Sequence, residues 1–166
     1  MGGWFTDKKR SGGGALIDIG VHRLDLALWL MGYPEPITVS GATYSALADR
    51  VAADQGCAFD VEDLACAMVR FRNGATLILE ASWASNTRDN EHLTTVLCGD
   101  KGGLYCGMDP RTWKNVGEIY TEENGSLFTK RLNSDSAPQG GAMNEFISSI
   151  VEKRPPWPPL KKGSSA

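Results

Sequence analysis

Asn-Gly dipeptides separate strand-like apolar runs at two places in this chain. LACAMVRF (Leu64–Phe71) and ATLILEASW (Ala75–Trp83) flank Asn73-Gly74, and Asn124-Gly125 divides a second pair within Val116–Leu132. Asn-Gly between such runs is typical of a hairpin with a type I′ turn, because both central residues then adopt positive φ. The sequence therefore predicts two antiparallel hairpins.

The remaining segments predict a helix, a series of strands and a second helix. The predicted strands are Ile37–Ala46, His92–Gly99 and LYCGM after Gly102-Gly103, and the last of these should pair with the strand before it. Leu47–Asp60 is expected to be a short helical turn and a mobile loop. Ala142–Lys153 has the apolar period of an amphipathic helix. Strands that meander without alternating helices favour an α+β fold with an open, mostly antiparallel sheet and helices on one face. We expect one domain over residues 1–154 and a proline-rich tail over 155–166.

The strand Leu64–Phe71 is apolar on both faces. Helices covering one face of the sheet would leave apolar area exposed on the other, and such patches usually mark an interface. We therefore expect a homodimer or higher homo-oligomer that uses the sheet face, and a polar substitution at Val69 or Leu79 should locate it. The alternative is a central strand packed between two layers of one chain.

Composition excludes several classes of protein. The chain has 166 residues, 42% hydrophobic and 22% charged, with a net charge of -3. That charge leaves no basic surface for nucleic acid, and no apolar run is long enough to cross a bilayer. Two of the four cysteines, Cys66 and Cys98, lie in apolar runs, and no C-x-x-C occurs. We expect buried free thiols, no metal site of that spacing and a cytoplasmic location.

The segment Gly14–Met31 predicts a helix that is apolar almost all round, which is typical of a buried helix. Asp18, His22, Asp25 and Trp29 nevertheless share one narrow sector at 100° per residue. Charged groups inside a protein are costly unless they are paired or used. Three interpretations stay open: a solvent-facing stripe of mutually paired charges, a metal site, and acid–base chemistry by an imidazole that carboxylates orient.

The metal site would need a third ligand, and His92 is the other histidine of the chain. The glycines Gly12-Gly13-Gly14 do not form G-x-G-x-x-G, because Ile17 occupies the last position and no strand precedes them. We expect them to let the chain approach something closely before the helix begins.

The helix carries a recognisable motif. GGGALIDIGVHRLDLALWLMG contains D-x-G-x-H-x-x-D as Asp18, Gly20, His22 and Asp25, followed by Gly32 after the helix. VEDLACAMVRFRNGATLILEASWA, CGDKGGLYCG and NEFISSIVEKRPP follow in order. Together these segments resemble the C-terminal domain of the glucose–fructose oxidoreductase / inositol dehydrogenase / rhizopine-catabolism (Gfo/Idh/MocA) oxidoreductase family.

The resemblance implies a dehydrogenase that acts on a sugar or cyclitol hydroxyl with NAD or NADP. It assigns proton exchange with that hydroxyl to His22, and substrate binding and support to Asp18, so these two are the expected catalytic residues. Asp25, Trp29 and Gly14 are expected to bind or support the substrate. It also implies dimers or tetramers built through the open sheet face.

The chain departs from the family pattern in one respect. It contains neither a dinucleotide fingerprint nor the Glu-Lys-Pro motif with the family's catalytic lysine, and Lys8 and Lys9 match nothing. We therefore expect a substrate-binding and oligomerisation domain, inactive in hydride transfer alone and without tight NAD(P) binding, arising as an excised domain, a truncated product or a free-standing module. The alternatives are a non-catalytic scaffolding module and a cofactor-free acid–base enzyme of the lyase or epimerase type.

Overall fold

The computed structural model describes residues 3–56, 59–88, 91–109, 111–132 and 141–156. Helices lie before and after a series of strands, as the sequence predicts, and one further helix lies between the first two strands. The helical segments are a 3₁₀ turn (Gly3–Thr6), α1 (Lys8–Ser11), a π turn (Leu16–Gly20), α2 (Val21–Leu30), α3 (Ala46–Gln55) and α4 (Gly141–Val151). The strands are β1 (Pro36–Tyr44), β2 (Leu64–Phe71), β3 (Thr76–Ser82), β4 (Thr94–Gly99), β5 (Gly102–Met108), β6 (Asn115–Glu123) and β7 (Ser126–Leu132).

Within the described residues, all strand pairs are antiparallel, and they form two sheets. The first has the order β1-β2-β3 and the second the order β4-β5-β6-β7. The prediction of an α+β fold with antiparallel pairing is confirmed. The strands are divided between two sheets where we expected one, because β3 and β4 are neighbours in sequence but not in hydrogen bonding.

The two Asn-Gly hairpins turn differently. Asn124 and Gly125 both have positive φ, 54° and 76°, as the predicted type I′ turn requires. In the first hairpin only Gly74 has positive φ, and its N–H donates to the carbonyl of Phe71. That is a type I turn followed by a glycine bulge, so the hairpin is confirmed and its predicted turn type is wrong. Asn73 uses its side chain to accept the N–H of Ala75, which stabilises this alternative.

On β2 and β3, one face of the first sheet is covered and the other is open, whereas β1 is exposed along its whole length. Ala65, Phe71, Leu79 and Ala81 are buried on the covered face, where the π turn lies against β3. On the open face, Met68 is 44% and Ile78 74% exposed, and the two are cross-strand partners.

Val69 and Leu79 lie on the covered face, since they alternate with Met68 and Ile78 along their strands. The expectation that they would locate an interface is therefore corrected: Leu79 is only 7% exposed.

Three acidic residues before β2 bind the N-terminal turns of three helical segments. Asp60 accepts the N–H of Lys8 at the start of α1, and Glu62 accepts two N–H groups at the start of the π turn. Asp63 is buried and accepts the N–H of Ala48 at 2.6 Å, in the first turn of α3. This bond helps to explain why residues 46–55 form a ten-residue helix, where we expected a short helical turn and a loop.

Other expectations concern α4 and the cysteines. α4 confirms the predicted helix, and Met143, Phe146 and Ile147 on its apolar stripe are exposed. Cys66, Cys98 and Cys106 are free thiols, as expected, but Cys66 and Cys106 are only half-buried and Cys98 is exposed, so the expectation that the thiols are buried is wrong for Cys98 and only partly met at the other two. Cys57 and the tail from residue 157 lie outside the described residues.

Within the described ranges, no helix is long and apolar enough to cross a membrane.

Candidate site on the π turn and α2

The segment that carries the motif begins at a close contact with Glu62. Its carboxylate accepts the N–H groups of Gly14 at 2.9 Å and Leu16 at 3.1 Å, and its backbone carbonyl accepts that of Ala15 at 3.2 Å. A Cβ on Gly14 would lie 1.9 Å from that carbonyl oxygen. We expected the three glycines to let the chain approach something closely, and at Gly14 the neighbour is the backbone of Glu62 in the same chain. A substrate-supporting role for Gly14 stays a prediction.

The first turn of the motif is a π turn, in which the N–H of Val21 donates to the carbonyl of Leu16. Gly20 is buried, and a Cβ there would lie 3.0 Å from the Cβ of Ala81, so glycine lets this turn press against β3. A π turn holds more residues than an α turn, so a wheel drawn at 100° per residue does not apply across it. Asp18 lies within this turn and His22 beyond it.

Asp18 is half-buried and hydrogen-bonded to an aromatic side chain from the sheet. The indole Nε1–H of Trp83, directly after β3, donates to its Oδ2 at 2.9 Å. The Trp83 ring meets Phe59 edge-on, with centroids 6.2 Å apart, and its backbone N–H donates to the carbonyl of Asp63. The carboxylate is thus held by a residue that is itself held at two points.

His22, Asp25 and Trp29 lie on the exposed side of α2. Ile17 is 56% exposed, and Ala27 is the one residue of α2 that is buried. The expectation of a helix buried on all sides is therefore wrong for the described residues, because the sheets cover one side of it. Met31 and Gly32 then end α2: the N–H of Gly32 donates to Trp29 and that of Tyr33 to Leu28, a Schellman motif in which Gly32 has φ 75°.

The charges of the motif do not pair with each other. Across the described part of the chain, no hydrogen bond or ion pair joins His22 to Asp18 or Asp25, so a stripe of mutually paired charges is not what forms. Within the described residues, no three or more histidine, cysteine, aspartate or glutamate side chains are placed together to hold a metal ion.

Two surface depressions lie on the second sheet, away from the motif. One, of about 400 Å³, includes Asp109, Glu118 and Arg131, and the other, of about 480 Å³, includes His92 and Tyr105. Neither of these two depressions is lined by Asp18 or His22. Glu118 belongs to a separate network, in which the Tyr120 hydroxyl donates to it and so lowers its pKa, with Arg131 acting in the same direction.

Trp83 and Glu62 have no role that residue patterns alone could assign. Trp83 lies 65 residues from Asp18, and Glu62 lies 48 residues from Gly14. The signal that could have pointed to them is the resemblance itself, because both lie in the second matching segment, VEDLACAMVRFRNGATLILEASWA.

Comparison with known proteins identifies the family. Residues 1–105 match the model of the GFO/IDH/MocA C-terminal domain. D-glucoside 3-dehydrogenase of Escherichia coli (strain K12) is 33% identical over 160 residues, which is 91% of this chain and 43% of that enzyme. The chain thus spans less than half the length of this relative.

Solved structures share the fold. An oxidoreductase domain protein from Kribbella flavida is 22% identical with a TM-score of 0.74, over 95% of this chain and 46% of that one. A levoglucosan dehydrogenase in complex with NADH and levoglucosan is 21% identical with a TM-score of 0.74, over the same shares. These likenesses concern the architecture, whereas the sequence matches establish descent. The chain belongs to the GFO/IDH/MocA oxidoreductase family and corresponds to the C-terminal domain of its members.

Proposed function

We propose that this chain is the substrate-binding and self-associating domain of an NAD(P)-dependent oxidoreductase that acts on a sugar or cyclitol hydroxyl. One observation carries the proposal. The motif combines the half-buried carboxylate of Asp18, which the Trp83 indole holds by a hydrogen bond, with the exposed imidazole of His22. π turns inside helices occur frequently at functional sites. The names of the relatives, a D-glucoside dehydrogenase and a levoglucosan dehydrogenase, support a small sugar as the ligand class.

Two residues divide the work on the substrate hydroxyl. His22 takes its proton as general base, since imidazole is the side chain best suited to proton exchange near neutral pH. Asp18 accepts a hydrogen bond from a neighbouring hydroxyl and fixes the orientation of the sugar. Asp25 and Trp29, exposed on the same side of α2, line the outer part of this surface.

The described residues do not fit a dinucleotide. A pyrophosphate binds at a helix N-terminus with free N–H groups, at the switch point of a parallel sheet. Here every sheet is antiparallel, and Asp60, Glu62 and Asp63 already place carboxylates at three helical N-termini. These charges would repel phosphate. Hydride transfer therefore needs a dinucleotide-binding unit in addition to these residues.

Calorimetric titration of the chain with NAD and NADP tests the last point. We expect no saturable heat in the micromolar range. Tight binding of either dinucleotide would contradict the proposal, because it would require a phosphate site that the capped helices do not offer.

Sugar binding tests the site itself. Saturation-transfer NMR with methyl β-D-glucopyranoside, a simple D-glucoside, should detect binding by the unmodified chain. His22→Asn should weaken it, whereas His92→Asn, the matched change at the other histidine, should not. Binding that is indifferent to His22→Asn and His22→Ala would instead favour a scaffolding module.

Self-association is assigned to the open face of the first sheet. Tyr44, Met68 and Ile78 expose apolar surface there, and Cys66 lies between them. Glu80 and Arg70 are exposed on the same face beside these residues, and an apolar patch flanked by charged residues is typical of an interface. The second copy of this chain is its proposed occupant.

A further inference from the structure

We propose that Trp83 is a positioning residue that decides which oxygen of Asp18 meets the substrate. The inference rests on the proposed sugar-binding function of Asp18. Its starting point is the 2.9 Å hydrogen bond from Trp83 Nε1 to Asp18 Oδ2.

The indole N–H can only donate, so the atom of Asp18 that it contacts must be a hydrogen-bond acceptor. A carboxylate is an acceptor at both oxygens, and its terminal torsion is broad and two-fold. Donation to Oδ2 therefore assigns that oxygen to the protein and leaves Oδ1 for a ligand. No hydrogen bond within the described residues uses Oδ1 of Asp18.

The donor is well held, which is what positioning requires. The Trp83 backbone N–H is bound to the carbonyl of Asp63 at 3.1 Å, and Phe59 lies edge-on to its ring. Asp63 is itself buried and bound to the first turn of α3. The orientation of Asp18 is thus set by the start of β2 and the end of β3 rather than by its own helix.

A positioning role of Trp83 and a purely structural role predict different sugar affinities when Trp83→Phe is added to Asp18→Asn. With Trp83 present, Asp18→Asn must turn its amide oxygen towards the indole and present its NH₂ group to the sugar, so an acceptor becomes a donor. Removing the indole donor frees that amide to rotate and offer its oxygen. Trp83→Phe should therefore partly rescue Asp18→Asn, whereas loss of a structural contact would weaken binding further.

The experiment measures the dissociation constant for methyl β-D-glucopyranoside by NMR titration of the full chain and its variants. We expect Asp18→Asn to weaken binding about tenfold, as loss of a charge-assisted hydrogen bond does. Trp83→Phe should weaken it less, about threefold, because the carboxylate can still accept from the sugar but must be ordered when the sugar binds. The double variant should bind about threefold more tightly than Asp18→Asn alone. Trp4→Phe, the same change at a tryptophan stacked on Phe5, is the control and should leave affinity unchanged.

A second readout does not depend on the folding of the Trp83→Phe variant. The indole N–H resonance of Trp83 should shift when the sugar is added to the unmodified chain and stay in place in Asp18→Ala. A double variant that binds no better than Asp18→Asn, or an indole resonance unmoved at saturation, would overturn the inference while sugar binding itself survives. Failure of the unmodified chain to bind the sugar would overturn the proposed function, and the inference with it.

Discussion

The carboxylate of Glu62 accepts the N–H of Gly14 at 2.9 Å, and no room for a side chain exists between the two residues. This contact joins the start of the motif helix to the start of β2. It satisfies N–H groups that a helix N-terminus leaves unpaired, and it places a negative charge where the helix dipole favours one. The position of the whole motif relative to the first sheet depends on it.

Gly14→Ala is expected to destabilise the fold strongly. The new Cβ would overlap the Glu62 carbonyl oxygen at 1.9 Å, and backbone cannot move away as a flexible side chain can. We expect a loss of about 3 kcal/mol, or roughly 6–12 °C in Tm, in thermal or urea unfolding. Gly141→Ala, where a Cβ meets nothing within 4 Å, is the control and should change stability little. Equal stability of the two variants would show that the Gly14 contact is not tight in solution.

Ile78→Lys is expected to abolish self-association without unfolding the chain. Ile78 is 74% exposed on the open face, so a lysine there costs the monomer little but would bury a charge between two copies. Sedimentation velocity at high micromolar concentration should show an oligomer for the unmodified chain and a monomer for the variant. Val39→Lys, exposed on the opposite face of the same sheet, should keep the oligomer. A monomeric unmodified chain would refute the interface.

Acidification should loosen the hairpin of β6 and β7 through Glu118. The Tyr120 hydroxyl, and then Arg131, lower the pKa of Glu118 in the folded state. A carboxyl with a lowered folded-state pKa stabilises the fold above its unfolded pKa, about 4.3, and this contribution disappears as the pH falls through the folded value. In a ¹³C NMR titration, Glu118 should therefore titrate below that ordinary value. Tyr120→Phe should move its midpoint upwards, and an unchanged midpoint would contradict the assigned cause.

Local sequence patterns determined most of the element order. The alternation of apolar residues and the Asn-Gly turns predicted the strands of both hairpins, and Gly32 marked the end of α2, because each of these signals acts over a few residues. Asn73-Gly74 shows where a local signal is insufficient. The dipeptide allows a type I′ turn, but the Asn73 side chain bonds to the N–H of Ala75 and the chain forms a bulged turn.

The motif was visible in the sequence, and its surroundings were not. Asp18 and His22 belong to a recognisable motif. Their predicted shared face depended on an ideal α-helix, and the π turn changes the angle between the two side chains. Which face of Leu64–Phe71 is covered, where Val69 and Leu79 point, and which side of α2 is open depend on how the helix docks on β3. The partner of Asp18 comes from 65 residues away. Sequence periodicity specifies the residues that can share a face, but the register of the strands and the docking of the helix decide which distant residues meet.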